Sequence, residues 1–208
     1  MFRRGGASVA LLAAALFAGC GHASARVDDA EVAKLPPPAQ RTVSARAQEV
    51  DVARSNVVSA EAALDDAKSQ RSRAGRQLRA ADPRLRAAAR AATTWADDVV
   101  RLRQARLDEA RAELRLARAQ AALTRTEVLR EHGRPPRIDP VLLLDEQRVA
   151  ADELGAARIA VADRDSAVES SRRAWARQTE EARAAASPPP APTLPPPTPM
   201  AVPTIPPL

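Results

Sequence analysis

The chain has 208 residues, of which 45% are hydrophobic and 28% charged but only 2% aromatic. Phe2 and Phe17 lie near the N-terminus, so the body owns just Trp95 and Trp175, too few large rings for a compact globular core. The net charge of +6 comes from mixed signs along the chain, with no zinc-finger spacing and no RNA-binding aromatic motif, which argues against a nucleic-acid partner.

At the N-terminus, Arg3 and Arg4 precede an apolar run from Val9 to Phe17 and then small residues, the order of a secretory signal peptide over 1–19. The run is shorter than the ~20 residues of a bilayer span. Phe17-Ala18-Gly19-Cys20 resembles the bacterial lipobox, in which the Cys thiol takes a diacylglyceryl group and becomes the mature N-terminus. The family prefers Leu where Phe17 stands. The resemblance implies a lipoprotein held in a lipid bilayer through acylated (palmitate-type) Cys20. Ala23-Ser24-Ala25 offers an alternative cut, after Ala25, that would release a soluble periplasmic chain. Cys20 is the sole Cys and His22 and His132 the only His, so no disulfide and no His/Cys metal site is expected in the body. By the enteric sorting pattern, Gly21 in place of Asp implies the outer membrane, facing the periplasm.

Residues 20–40 read as a lipidated, disordered tether ending in Pro36-Pro37-Pro38, an extended element. Two interruptions follow. Asp82-Pro83 reads as an N-cap followed by the first helical residue. The second, from His132 to Ile138, leads into Asp139-Pro140 with the same signature. Helices are therefore expected near 41–80, 83–131 and 140–186. Residues 187–208 contain eleven Pro and no charge and read as a disordered polyproline-like tail.

The first expected helix carries Val43, Val50, Val57, Leu64, Arg71 and Leu78 at heptad spacing, with Ala53, Ala60, Ala67 and Ala74 beside them. Small residues in such a seam let antiparallel helices approach closely. The second helix repeats the pattern at Val100, Leu107, Leu114, Ala121 and Val128. Folding back at Asp82 sets Leu64 opposite Val100, Val57 opposite Leu107, Val50 opposite Leu114 and Val43 opposite Ala121. A second row, Trp95, Leu102, Glu109, Leu116 and Leu123, matches Trp175, Val168, Val161, Leu154 and Gln147 of the third helix through a turn centred on Pro135. Glu109 against Val161 and Leu123 against Gln147 are mismatches. The two rows lie about 200° apart at ~100° per residue. The fold class expected is all-α: an elongated, flat, antiparallel three-helix coiled coil about 70 Å long at ~1.5 Å per residue. A closed three-helix bundle is the alternative.

Within the second helix, Arg106–Leu129, RLDEARAELRLARAQAALTRTEVL, resembles the hairpins of periplasmic membrane fusion proteins and the coiled coils of TolC-type outer-membrane efflux proteins. This resemblance implies an accessory subunit of an envelope-spanning efflux or secretion assembly. No β-rich lipoyl or barrel region flanks the stretch, and small coiled-coil envelope lipoproteins are the nearer analogy. They imply a periplasmic spacer or adaptor.

No enzymatic activity and no cofactor are expected. Asp65-Asp66, Asp97-Asp98 and Glu180-Glu181 sit among arginines on thin helices, where no pocket would shift their pKa for catalysis. His132 falls in a Gly/Pro loop, and the Trp pair reads as seam packing. Lys68, Arg71, Arg73, Arg76, Arg79, Arg84, Arg86 and Arg90 surround the first turn against a single acid, Asp82. Arg73, Arg76, Arg84 and Arg86 are the candidate partner-binding tip, suited to an acidic envelope protein or to peptidoglycan carboxylates.

Overall fold

The computed structural model describes residues 29–134 and 138–186. The expected signal peptide over 1–19, Cys20 and the tail 187–208 lie outside them. The described chain is all-α: α1 (Asp29–Val32), α2 (Pro37–Ala80), α3 (Arg86–Glu131) and α4 (Pro140–Ala186). The last three are long helices packed against one another. None is long and apolar enough to cross a membrane.

Helix α3 is the shared partner. It packs along both α2 and α4, while contact between those two is marginal at most. Burial follows from this: α3 buries ten residues, against four in α2 and three in α4. Leu102, Leu107, Ala110, Ala112, Ala119 and Leu123 are all within the α3 set, and Leu64, Ala67, Ala150 and Leu154 are their counterparts on the flanking helices. Half of these are Ala, whose small side chain favours the helix and brings backbones close. The outer helices bury few residues, because a stripe of one or two per turn is all each offers.

The helix ends differ from expectation in informative ways. Helix α2 begins at Pro37, inside the segment expected to be a tether. Pro36 is extended (φ −59°, ψ 150°), but Pro37 and Pro38 occupy the first helical turn, where a missing N–H leaves nothing unpaired. The chain before it is also ordered. Leu35 and Ala39 are buried in a cluster with Val128 and Leu129, and Val32 and Val43 pack against it. Gln40 donates to the carbonyls of Ala33 and Leu35, and Arg134 forms an ion pair with Glu31. Residues 29–40 are thus clamped to the end of α3 instead of hanging free.

Helix α3 starts at Arg86, not at 83. Ala81 is extended, the Asp82 side chain accepts from the Arg84 amide at 2.9 Å, and the Leu85 amide bonds the Asp82 carbonyl at 2.9 Å. That tight turn spends Pro83 before the α-helix proper begins. At the other connection the expectation and the helix start agree: Asp139 caps the Val141 amide at 2.9 Å and α4 opens at Pro140. Helix α3 closes with Gly133 in the left-handed region (φ 71°), the Arg134 amide bonding the Leu129 carbonyl and the Gly133 amide that of Arg130, both at 3.0 Å. This is the Schellman arrangement, which satisfies the last carbonyls and reverses the chain.

Candidate functional site

Charged pairs tie the three helices together and report their registers. Between α2 and α3, Arg71 pairs with Asp97, and Arg111 donates to Glu61 at 3.0 Å. Arg71 also shares a groove with Thr93, the residue that a turn centred on Asp82 sets opposite it, while Glu61, expected opposite Arg103, reaches Arg111. Val43 packs on the cluster of Leu35, Ala39, Val128 and Leu129. Leu35 and Ala39 meet Val128 and Leu129 there, at the end of α3. Burying a Leu such as Leu35 stabilises by roughly 1.5–3 kcal/mol.

Between α3 and α4, Arg115 lies 2.9 Å from Glu153, Arg106 3.4 Å from Asp165, and Arg158 bridges Glu109 at 3.6 Å and Glu113 at 3.4 Å. Glu109 is thus satisfied from across the seam. Trp95 and Trp175 stack with ring centroids 5.0 Å apart and planes 2° from parallel. The Trp95 Nε1 and the hydroxyl of Thr126, which is 1% exposed, have no hydrogen-bond partner among the described residues. Of the seam residues picked from the sequence, Leu64, Leu107 and Leu154 are buried, while Val100, Leu114, Leu116, Trp95 and Trp175 are half-buried at the edges of the contact.

Three of the adjacent carboxylates have cationic partners. Asp65 takes Lys68 at 3.0 Å, Asp97 takes Arg71, and Asp98 takes Arg101 at 3.1 Å. On α4, Arg172 and Arg173 both donate to Glu169, and the Arg172 hydrogen bond foremost holds that carboxyl below its ordinary range while raising the guanidinium's own pKa. A shallow surface depression there, lined by Asp165, Ser166, Glu169 and Arg173 among others, is charge-balanced within itself. His132 caps α3 with Nδ1 2.9 Å from the Val128 carbonyl, so that nitrogen carries the proton. No group of three or more His, Cys, Asp or Glu able to hold a metal occurs among the described residues.

The arginines around the α2–α3 turn stand apart. Lys68 and Arg71 have carboxylate partners, but Arg73, Arg76, Arg79, Arg84, Arg86 and Arg90 are exposed and make no ion pair among the described residues. Three of them sit on the last turns of α2 and the others flank or open α3, so both helices contribute to one basic end. A groove of about 400 Å³ runs between them, lined by Arg71, Ser72, Gly75, Arg76, Arg79 and Thr93. Sequence reasoning found the arginines by counting. It missed Gly75 and Thr93, because placing Thr93 across from Gly75 requires the register between α2 and α3.

What these features define is a class: an all-α protein of three packed helices with an uncompensated basic end. No protein-family model matches the chain, and no curated protein and no solved structure is significantly similar to it.

Proposed function

We propose that this protein is a non-enzymatic lipoprotein of the bacterial envelope, acting as a periplasmic spacer or adaptor. Acylated Cys20 anchors it in the outer membrane, and the basic end carries its partner contact. The body is an antiparallel three-helix coiled coil laid out as a flat array, a reading supported by the cross-helix ion pairs, the Trp stack and the marginal contact between α2 and α4.

One observation carries the functional reading. The N-terminal segment is clamped at the Val128–Leu129 end of α3, whereas the unpaired arginines cluster at the opposite end, beside Arg86. The clamped segment, which follows Cys20 in the chain, and the basic tip are then separated by the length of α3, about 70 Å at ~1.5 Å per residue. A rod with an anchor at one pole and uncompensated charge at the other is built to hold something away from a surface. Peptidoglycan carboxylates or an acidic envelope protein supply the complementary charge. The resemblance of Arg106–Leu129 to efflux-associated hairpins favours a second reading, an accessory subunit of an efflux or secretion assembly.

The test compares parent and an Arg73→Gln, Arg76→Gln, Arg84→Gln, Arg86→Gln variant for recovery on isolated peptidoglycan and of crosslinked envelope partners. Binding should weaken with salt over the ~8–10 Å screening lengths of 0.15–0.1 M. The variant should lose it while melting like the parent. Equal, salt-insensitive recovery refutes the tip. Mass spectrometry of the mature N-terminus tests the anchor, and a chain starting at Arg26 without acyl mass refutes it.

A further inference from the structure

We propose that the groove between α2 and α3 at the basic end is a binding site for phosphoryl oxyanions. The inference rests on the reading of that end as the binding pole and gives it a ligand class. The groove collects three guanidinium groups, Arg71, Arg76 and Arg79, around a floor of small residues, Ser72, Gly75 and Thr93. Among the described residues, the one carboxylate paired with these three arginines is Asp97, on Arg71. Arg76 and Arg79 therefore leave two exposed positive charges in one groove with no ion pair among the described residues. A bound dianion would neutralise both.

The floor shapes the site. Gly75 has no Cβ, and a methyl group built there would meet Arg79 Nη1 at 3.9 Å, so the guanidinium lies over the glycine. The Ser72 and Thr93 hydroxyls donate back to the carbonyls of Lys68 and Ala89, each at 3.0 Å. Their hydrogens are spent on the backbone, and the guanidinium forks are left as the donors. Such forks meet phosphate and carboxylate bidentately. A phosphoryl group presents three acceptor oxygens in tetrahedral array and can take forks from several directions at once. A planar carboxylate offers its two oxygens in one plane. The groove is open to solvent, so an anion can reach the guanidinium groups directly.

Pyrophosphate is the probe, titrated calorimetrically into the purified full chain, with malonate as the dicarboxylate comparison. Two variants separate a shaped site from a diffuse field. Arg76→Gln with Arg79→Gln removes the uncompensated charge. Gly75→Leu keeps every charge but fills the floor; it should fold, since Leu is a better helix former than Gly, and its thermal melt verifies this. Both variants should bind pyrophosphate at least tenfold more weakly than the parent, and the parent should bind malonate at least tenfold more weakly than pyrophosphate. Parent-like binding by Gly75→Leu overturns the groove, and equal affinity for malonate overturns the ligand class. Co-sedimentation with phosphatidylglycerol against phosphatidylcholine vesicles distinguishes a lipid headgroup from a free phosphate as the source. Should the parent bind peptidoglycan through its arginines but not pyrophosphate, this inference alone fails; should it bind neither, the tip reading fails with it.

Discussion

Truncating the stacked Trp pair offers the sharpest test of how α3 and α4 are held together. Each indole is half-buried, with roughly 150 Å² removed from water; at ~25 cal/mol per Å² that is about 4 kcal/mol, and about 2–3 kcal/mol once the compactness of the unfolded chain is allowed for. The parallel rings, 5.0 Å apart, add a term that belongs to the pair, about 0.5–1.5 kcal/mol for such contacts. Trp95→Ala and Trp175→Ala should therefore each destabilise by roughly 2–3 kcal/mol, and the double variant by about 1 kcal/mol less than the sum. Urea denaturation followed by far-ultraviolet circular dichroism supplies the cycle, and the near-ultraviolet signal of the stacked indoles should vanish in either single variant. A coupling energy indistinguishable from zero, with both singles melting like the parent, would refute the stack as a structural contact.

Two further outcomes follow from features at other places along the helices. Leu35→Ala should cost about 2–3 kcal/mol locally, since Leu35 is 4% exposed; amide exchange should quicken over 30–40 while α4 stays protected. Glu169 should titrate below its ordinary value of 4.5 because Arg172 and Arg173 bond its charged form. A depressed carboxyl stabilises above its unfolded pKa and loses that contribution as pH falls through the folded one. Its NMR titration midpoint should rise towards 4.5 in an Arg172→Gln, Arg173→Gln variant, and the acid loss of stability below about pH 4.5 should be smaller there.

The helical class was legible because Ala-rich heptads leave no other regular structure available. The start of α4 was legible too, since Asp139-Pro140 is a local signal and Asp139 caps locally. The same dipeptide at Asp82-Pro83 misled by three residues, because a tight turn can satisfy it as well as a helix can. Pro36-Pro37-Pro38 misled in the opposite direction, being read as extended where two of the three begin a helix. A signal was present: Val32, Leu35, Ala39 and Val43 follow the helical spacing of the buried row, and weighing them against the prolines would have carried the order back to residue 32. Which charged residues pair across α2 and α3 was not legible, because long Arg side chains can reach carboxylates a turn to either side. The cluster of Leu35 and Ala39 with Val128 and Leu129 was not legible either, because its members lie far apart in sequence.

Because α3 alone touches both neighbours at length, this molecule has the connectivity of a short linear array. Folding has two independent starting points, α2 on α3 or α3 on α4, and neither needs the other to be in place. Two parallel routes to the native state follow. A lesion confined to one interface would close one route and leave the other open, so folding rate would be buffered against substitutions in the outer helices but exposed to those in α3.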